Sequence, residues 1–162
     1  MRQHISPASA ILAFVLAAAA CGTSSPSASG SPTPACVNAS ATHHAYVVVQ
    51  HLSGKSLQTC VGFSGDTIGG QALMDQSGIL FQTQTYSFGK AACAIDHEPA
   101  QFSQCLPQNQ PYWALFVETN STWATAQTAY DAVNLHDKDA LGWHYVQQSD
   151  ANPSPPPLAN ES

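Results

Sequence analysis

The side chains with the most chemistry to offer are concentrated in one passage. Between Tyr86 and Trp123 the chain carries Cys93, Asp96, His97, Glu98, Cys105, Tyr112 and Trp113. A thiolate nucleophile at Cys93 beside His97 is disfavoured, because there is no Cys-x-x-Cys motif and Cys105 lies close enough in sequence to pair with it. Zinc held by Cys93, His97 and Cys105 lacks the fourth ligand of a structural site. Asp96 and Glu98 form a carboxylate pair at a strand end, suited to acid/base work, to holding a cation, or simply to forming a polar rim.

Elsewhere the motifs dissolve on inspection. Asp137, Asp139 and Gly142 echo a calcium loop, but Leu141 and Gln148 stand where oxygen ligands are needed. Gly62-Phe63-Ser64-Gly65-Asp66 lacks the final glycine of a nucleophile elbow. His43 and His44, with His51, are candidate metal ligands, but histidines at a domain entry read more simply as inert side chains. No nucleophile–base pair can be assembled, so no catalytic residue, metal ligand or cofactor is assigned. Aromatic side chains remain: Tyr112, Trp113, Trp123, Trp143 and Tyr145, suited to a planar ligand, a sugar or a peptide. Trp113 and Trp143 read as core, and Trp123, flanked by Ser121, Thr122 and Ala124, as exposed. The candidate ligand-binding set is therefore Trp123, Tyr112, Asp96, His97 and Glu98, grouped around the loop from His97 to Pro111.

The ends of the chain indicate where this chemistry operates. Residues 1–20 read as a signal peptide, with Arg2 and His4 before an apolar run from Ala10 to Ala20 that is too short to span a bilayer. The run closes on VLAAAAC and resembles a bacterial lipobox, which implies diacylation of Cys21; cleavage with ordinary secretion is the alternative. Residues 22–35 are a Ser/Pro/Gly/Thr tether, and residues 150–162, DANPSPPPLANES, read as a similar disordered tail. That leaves one domain, residues 36–149. Its four cysteines, in an oxidising compartment, fit two disulfides. Three pairings are open, and Cys93–Cys105 with Cys36–Cys60 is favoured, the first closing the Pro-rich loop and the second tying the leading segment to a hairpin.

Composition narrows the partners. Only 9% of residues are charged, and the formal net charge is −6. Nucleic acid is excluded as a partner, since phosphate binding needs a Lys/Arg footprint that four basic residues do not supply.

The elements that must position the site follow from periodicity. Ala45–Leu52 and Ser56–Phe63 alternate as the two strands of a hairpin around Ser53-Gly54-Lys55. A short helix is expected over Thr67–Gln76, capped by Ser64 or Asp66 and weakened at its start by Gly69 and Gly70. Ile79–Tyr86 and Lys90–Asp96 form a second pair of strands. Tyr112–Thr119, the most apolar strand, is expected at the centre of the sheet. Ala124–Val133 is ambiguous between a loose helix and a crossover, and Ala140–Val146 closes the core. The pattern is α+β: a β-grasp-like mixed sheet with one short helix and a long disulfide-stapled loop.

Four passages in this order, SGDTIGGQALMDQSGI, FGKAACAIDHEP, PYWALFVETNSTW and HDKDALGWHYV, resemble the transcobalamin-like C-terminal domain, a ligand-binding β-grasp module of bacterial exported proteins. The resemblance spans about Ala45 to Val146. It implies fold and a binding role and leaves the ligand open, because this chain lacks the large helical domain of the animal vitamin carriers. The expected function is that of an exported lipoprotein, anchored to the cell membrane through Cys21, whose domain binds a small molecule, cobalamin-like or another metabolite, or presents it to a transporter. The other reading is an interaction module that docks an envelope protein by a sheet edge or by the stapled loop.

Overall fold

A computed structural model describes residues 36–159. The expected signal peptide, the lipidation at Cys21 and the tether lie outside the described residues, as do residues 160–162.

The chain begins with β1 (Cys36–Val37), then the hairpin β2 (His43–Gln50) and β3 (Ser56–Phe63). A two-residue β4 (Ile68–Gly69) leads into helix α1 (Gly70–Gln76), followed by the hairpin β5 (Phe81–Tyr86) and β6 (Gly89–Ile95). After the long loop come β7 (Tyr112–Thr119), β8 (Thr122–Thr125), a 3-10 turn at Tyr130–Ala132, β9 (Asn134–Leu135) and β10 (Ala140–Val146). The main sheet has the order β1-β3-β2-β10-β7-β8, while β5-β6 and β4-β9 pair separately. The first and last long strands, β2 and β10, run parallel side by side, each flanked by its antiparallel neighbour. This is the β-grasp arrangement. The centre of the sheet is therefore β2 and β10, not Tyr112–Thr119: closing the fold with a parallel pair displaces β7 one place outward.

Alternation in β2, β7 and β10 divides the sheet into two faces. Val47, Val49, Trp113, Leu141 and Trp143 pack with Leu73 and Met74 of α1 in the main core. Tyr46, Val48, Cys60, Ala114, Phe116, Ala140 and Val146 form smaller clusters on the opposite face.

The helix starts later than its periodicity suggests, and neither Ser64 nor Asp66 caps it. Gly69 is the N-cap and makes no side-chain capping bond. Instead the Gly70 N–H donates to the Val133 carbonyl at 2.8 Å, and a Cβ at position 70 would collide with the Tyr130 carbonyl oxygen. The ambiguous segment Ala124–Val133 thus resolves into the end of β8 and a 3-10 turn that docks against the helix start. The β7–β8 turn is a two-residue connection in which Asn120 (φ 52°) and Ser121 (φ 57°) are both left-handed, as a type I′ hairpin requires.

Disulfides join Cys36 to Cys60 and Cys93 to Cys105. Among the described residues no helix is long and apolar enough to cross a membrane. Composition places the edge of the fold at Asp150, yet the segment beyond it lies on the sheet. His144 Nδ1 donates to the Ser154 carbonyl at 2.7 Å, and Pro156 is buried.

Candidate functional site

The β5–β6 hairpin stands off the main sheet, and the gap between them is a largely apolar recess. Trp113 and Leu115 of β7 and Trp143 of β10 line its base, and Phe88 and Leu106 line its sides. The cleft has a volume of about 510 Å³, within the range of small-molecule sites. Both indoles are nearly sequestered, whereas Phe88 is 59% and Leu106 43% exposed, so the two side residues are the ones free to adapt to an occupant.

The space exists because five of the other lining residues are alanines. Ala91 and Ala92 on β6, and Ala126, Ala129 and Ala132 after β8, place methyl groups where larger side chains would fill it. Among the described residues, Lys90 is the one charged residue in the lining. Its ammonium donates to Gln71 Oε1 at 2.8 Å and its backbone N–H to Asp131 Oδ1 at 2.9 Å. Gln71 Oε1 also accepts the Tyr130 hydroxyl at 2.8 Å. Burial pushes the Tyr130 phenol above its ordinary range, with the Asp131 and Asp75 charges adding to this and the Thr83 and Gln71 hydrogen bonds opposing it.

The carboxylate pair occupies a separate position. Ile95 and Glu98 exchange backbone hydrogen bonds, both 2.9 Å, around Asp96 (φ 46°) and His97 (φ 65°). This tight turn aims both acids at His51, which is buried at the end of β2. His51 Nδ1 lies 2.7 Å from Glu98 Oε2 and Nε2 lies 3.1 Å from Asp96 Oδ2. The arrangement is satisfied when both ring nitrogens donate. The Leu52 N–H also donates to Glu98 Oε2, at 3.3 Å. His97 points outward and is exposed. A shallow depression beside the turn includes Lys55 and Tyr145. Burial, then the Glu98 charge, raise the Tyr145 phenol above its usual range. Among the described residues no group of His, Cys, Asp or Glu is placed to hold a metal ion.

Trp113 links the two regions. Its indole N–H donates to the Glu98 carbonyl at 3.0 Å, while its ring lines the cleft. The turn that His51 clamps therefore also anchors the base of the cleft.

The structure brings Asp96, His97 and Glu98 together and separates them from the other two residues of the candidate set. Tyr112 and Trp123 are half-buried against Ala114, Phe116 and Val146, on the opposite face of the sheet. The stapled loop contributes Leu106 to the cleft, and the staple roots that loop in β6 through Cys93. Phe88, Leu115 and Leu106 were not singled out by sequence. The available signal was the density of alanine in KAA and in WATAQTAYDA, small residues in strand and loop segments that border two tryptophans.

No family model matches the chain, so the transcobalamin-like resemblance rests on the quoted passages alone. No curated protein matches it. Among solved structures, a candidate metal binding protein from Ruminococcus gnavus overlaps 65% of this chain and 97% of its own, with 15% identity and a TM-score of 0.49.

Proposed function

We propose that residues 36–159 form a binding domain for a small, largely apolar ring compound, exported from the cytoplasm and tethered to a membrane through a lipid on Cys21. The observation that carries the binding reading is the cleft of about 510 Å³ between β6 and the Trp113–Trp143 base. It combines apolar walls with few charges, as small-molecule sites do. A cleft of this size suits one ring system rather than a whole corrin, so the transcobalamin-like resemblance extends to a binding role and not to its vitamin. Two disulfides support residence in an oxidising compartment. The short apolar leader and VLAAAAC support the anchor, and two acyl chains would hold the protein at a membrane without a spanning helix.

The test is titration of the purified protein with N-phenyl-1-naphthylamine, a neutral aromatic probe whose fluorescence rises in apolar sites. Saturable binding is expected, together with its loss in Ala126→Leu, which fills the cleft from an accessible loop. Equal binding by a folded Ala126→Leu protein, or no binding by either, would sink the reading. Export and anchoring are checked separately by fatty-acid labelling in cells, expected for the native chain and absent for Cys21→Ser.

A further inference from the structure

The face of the sheet opposite the cleft carries a contact that neither the fold nor the cleft requires. Its ingredients are an indole, a glycine and a run of prolines. Trp123 of β8 lies across Gly142 of β10, and a Cβ at position 142 would fall 2.6 Å from Trp123 Cζ3 and 2.9 Å from Pro156 Cγ. Glycine thus leaves the hollow into which the tryptophan edge and Pro156 settle together. Pro156 is buried although Pro155 and Pro157 on either side are exposed. Polar contacts fix the segment at two points. His144 Nδ1 donates to the Ser154 carbonyl at 2.7 Å, and the Ala159 N–H donates to Glu118 Oε2 at 3.0 Å. Ala159 also packs against the Tyr46, Val48, Cys60 and Ala140 cluster.

We propose that this face is a docking groove for a proline-rich segment of a partner protein, and that residues 153–159 of this chain fill it as an internal stand-in. Three arguments support it. Prolines 153, 155, 156 and 157 each fix φ, and each residue before a proline is held in extended backbone, so the segment is shaped before it binds. Proline has no N–H to satisfy, so such a segment can lie on a sheet face without pairing as a strand. Recognition then falls to an aromatic surface and a few carbonyl contacts, which Trp123 and His144 supply.

The third argument makes the stand-in replaceable. Trp123 Nε1 is buried with no hydrogen-bond partner among the described residues. The chain's own segment covers the ring without serving its N–H, so a partner segment that brings a carbonyl there gains a bond that the internal one lacks. The internal segment holds its place through its tether, which acts as a high effective concentration.

The experiment uses the full chain and a fluorescent peptide, ANPSPPPLANES. In one variant residues 153–159 are replaced by glycine and serine at equal length. The peptide is expected to bind this variant at least roughly tenfold more tightly than the native chain, and a control peptide with every proline changed to alanine is expected not to bind. A folded variant that ignores the peptide, or that binds both peptides equally, overturns the proposal. Dimerisation of the native chain that the replacement abolishes overturns the assignment to a partner and gives the groove to a second copy. Should the variant fail to fold, a fluorophore at the C-terminus of the native chain carries the test. Excess proline-rich peptide is expected to lower its anisotropy by releasing the tail, and unchanged anisotropy at saturating peptide overturns the proposal. The cleft lies on the other face, so probe binding there is unaffected by either result.

Discussion

His51 shows how much of a site depends on what surrounds a side chain. In the sequence it stands next to last in the strand Ala45–Leu52, grouped with His43 and His44 as inert. In the structure it is 8% exposed and meets a carboxylate at each ring nitrogen. Nothing near His51 in sequence announces this, since Asp96 and Glu98 lie 45 and 47 positions away and reach it only because a left-handed turn points them inward. The acids themselves were legible as a pair, but their buried partner was not. Replacing the imidazole by an amide puts both N–H donors on a single nitrogen, where two carboxylates face separate ring nitrogens. His51→Gln is therefore expected to lower stability by about 2–3 kcal/mol, in the range for hydrogen bonds to charged groups, moderated by the partial exposure of both acids. A urea midpoint measured at neutral pH checks this. Asp96→Asn in the His51→Gln background should cost little more, because the bond it would remove is already gone.

At the scale of elements, β3, β7 and β10 were readable to the residue, because each is an uninterrupted apolar alternation ended by a turn. The two-residue strands β1, β4 and β9 were not, since their pairing is decided by tertiary contacts and their sequences hold no periodicity. Gly69 and Gly70 illustrate the same divide. Read locally they weaken a helix; in the structure they allow the helix start to approach the 3-10 turn at Tyr130. The two glycines are expected to behave differently. A Cβ at Gly69 meets nothing within 4 Å, whereas one at Gly70 meets the Tyr130 carbonyl. Gly69→Ala should change stability by no more than about 1 kcal/mol, the scale of an altered N-cap. Gly70→Ala should cost more than about 2 kcal/mol, as a backbone clash in a packed region does. Thermal unfolding of the two variants side by side separates them, and equal midpoints would refute the docking role given to Gly70.

Across the whole molecule, one sheet serves two faces, and the two disulfides are placed so as to divide the labour between them. Cys36–Cys60 joins β1 to β3, away from the cleft, while Cys93–Cys105 roots in β6 the loop that carries Leu106 into it. The chain-entropy model gives the two bridges similar stabilisation, about 3 kcal/mol for the shorter closed loop and about 3.5 for the longer. Stability alone therefore does not distinguish them, but the cleft does. Changing Cys93 and Cys105 together to alanine frees Leu106 and the wall it forms, whereas the same change at Cys36 and Cys60 leaves the lining in place. Under conditions where both double variants remain folded, binding of N-phenyl-1-naphthylamine is expected to fall several-fold in the first and to stay near the native value in the second. Equal loss in both would mean that the cleft depends on overall stability rather than on the staple. Equal retention would mean that Leu106 is held by its neighbours, and that the loop is not part of the binding device.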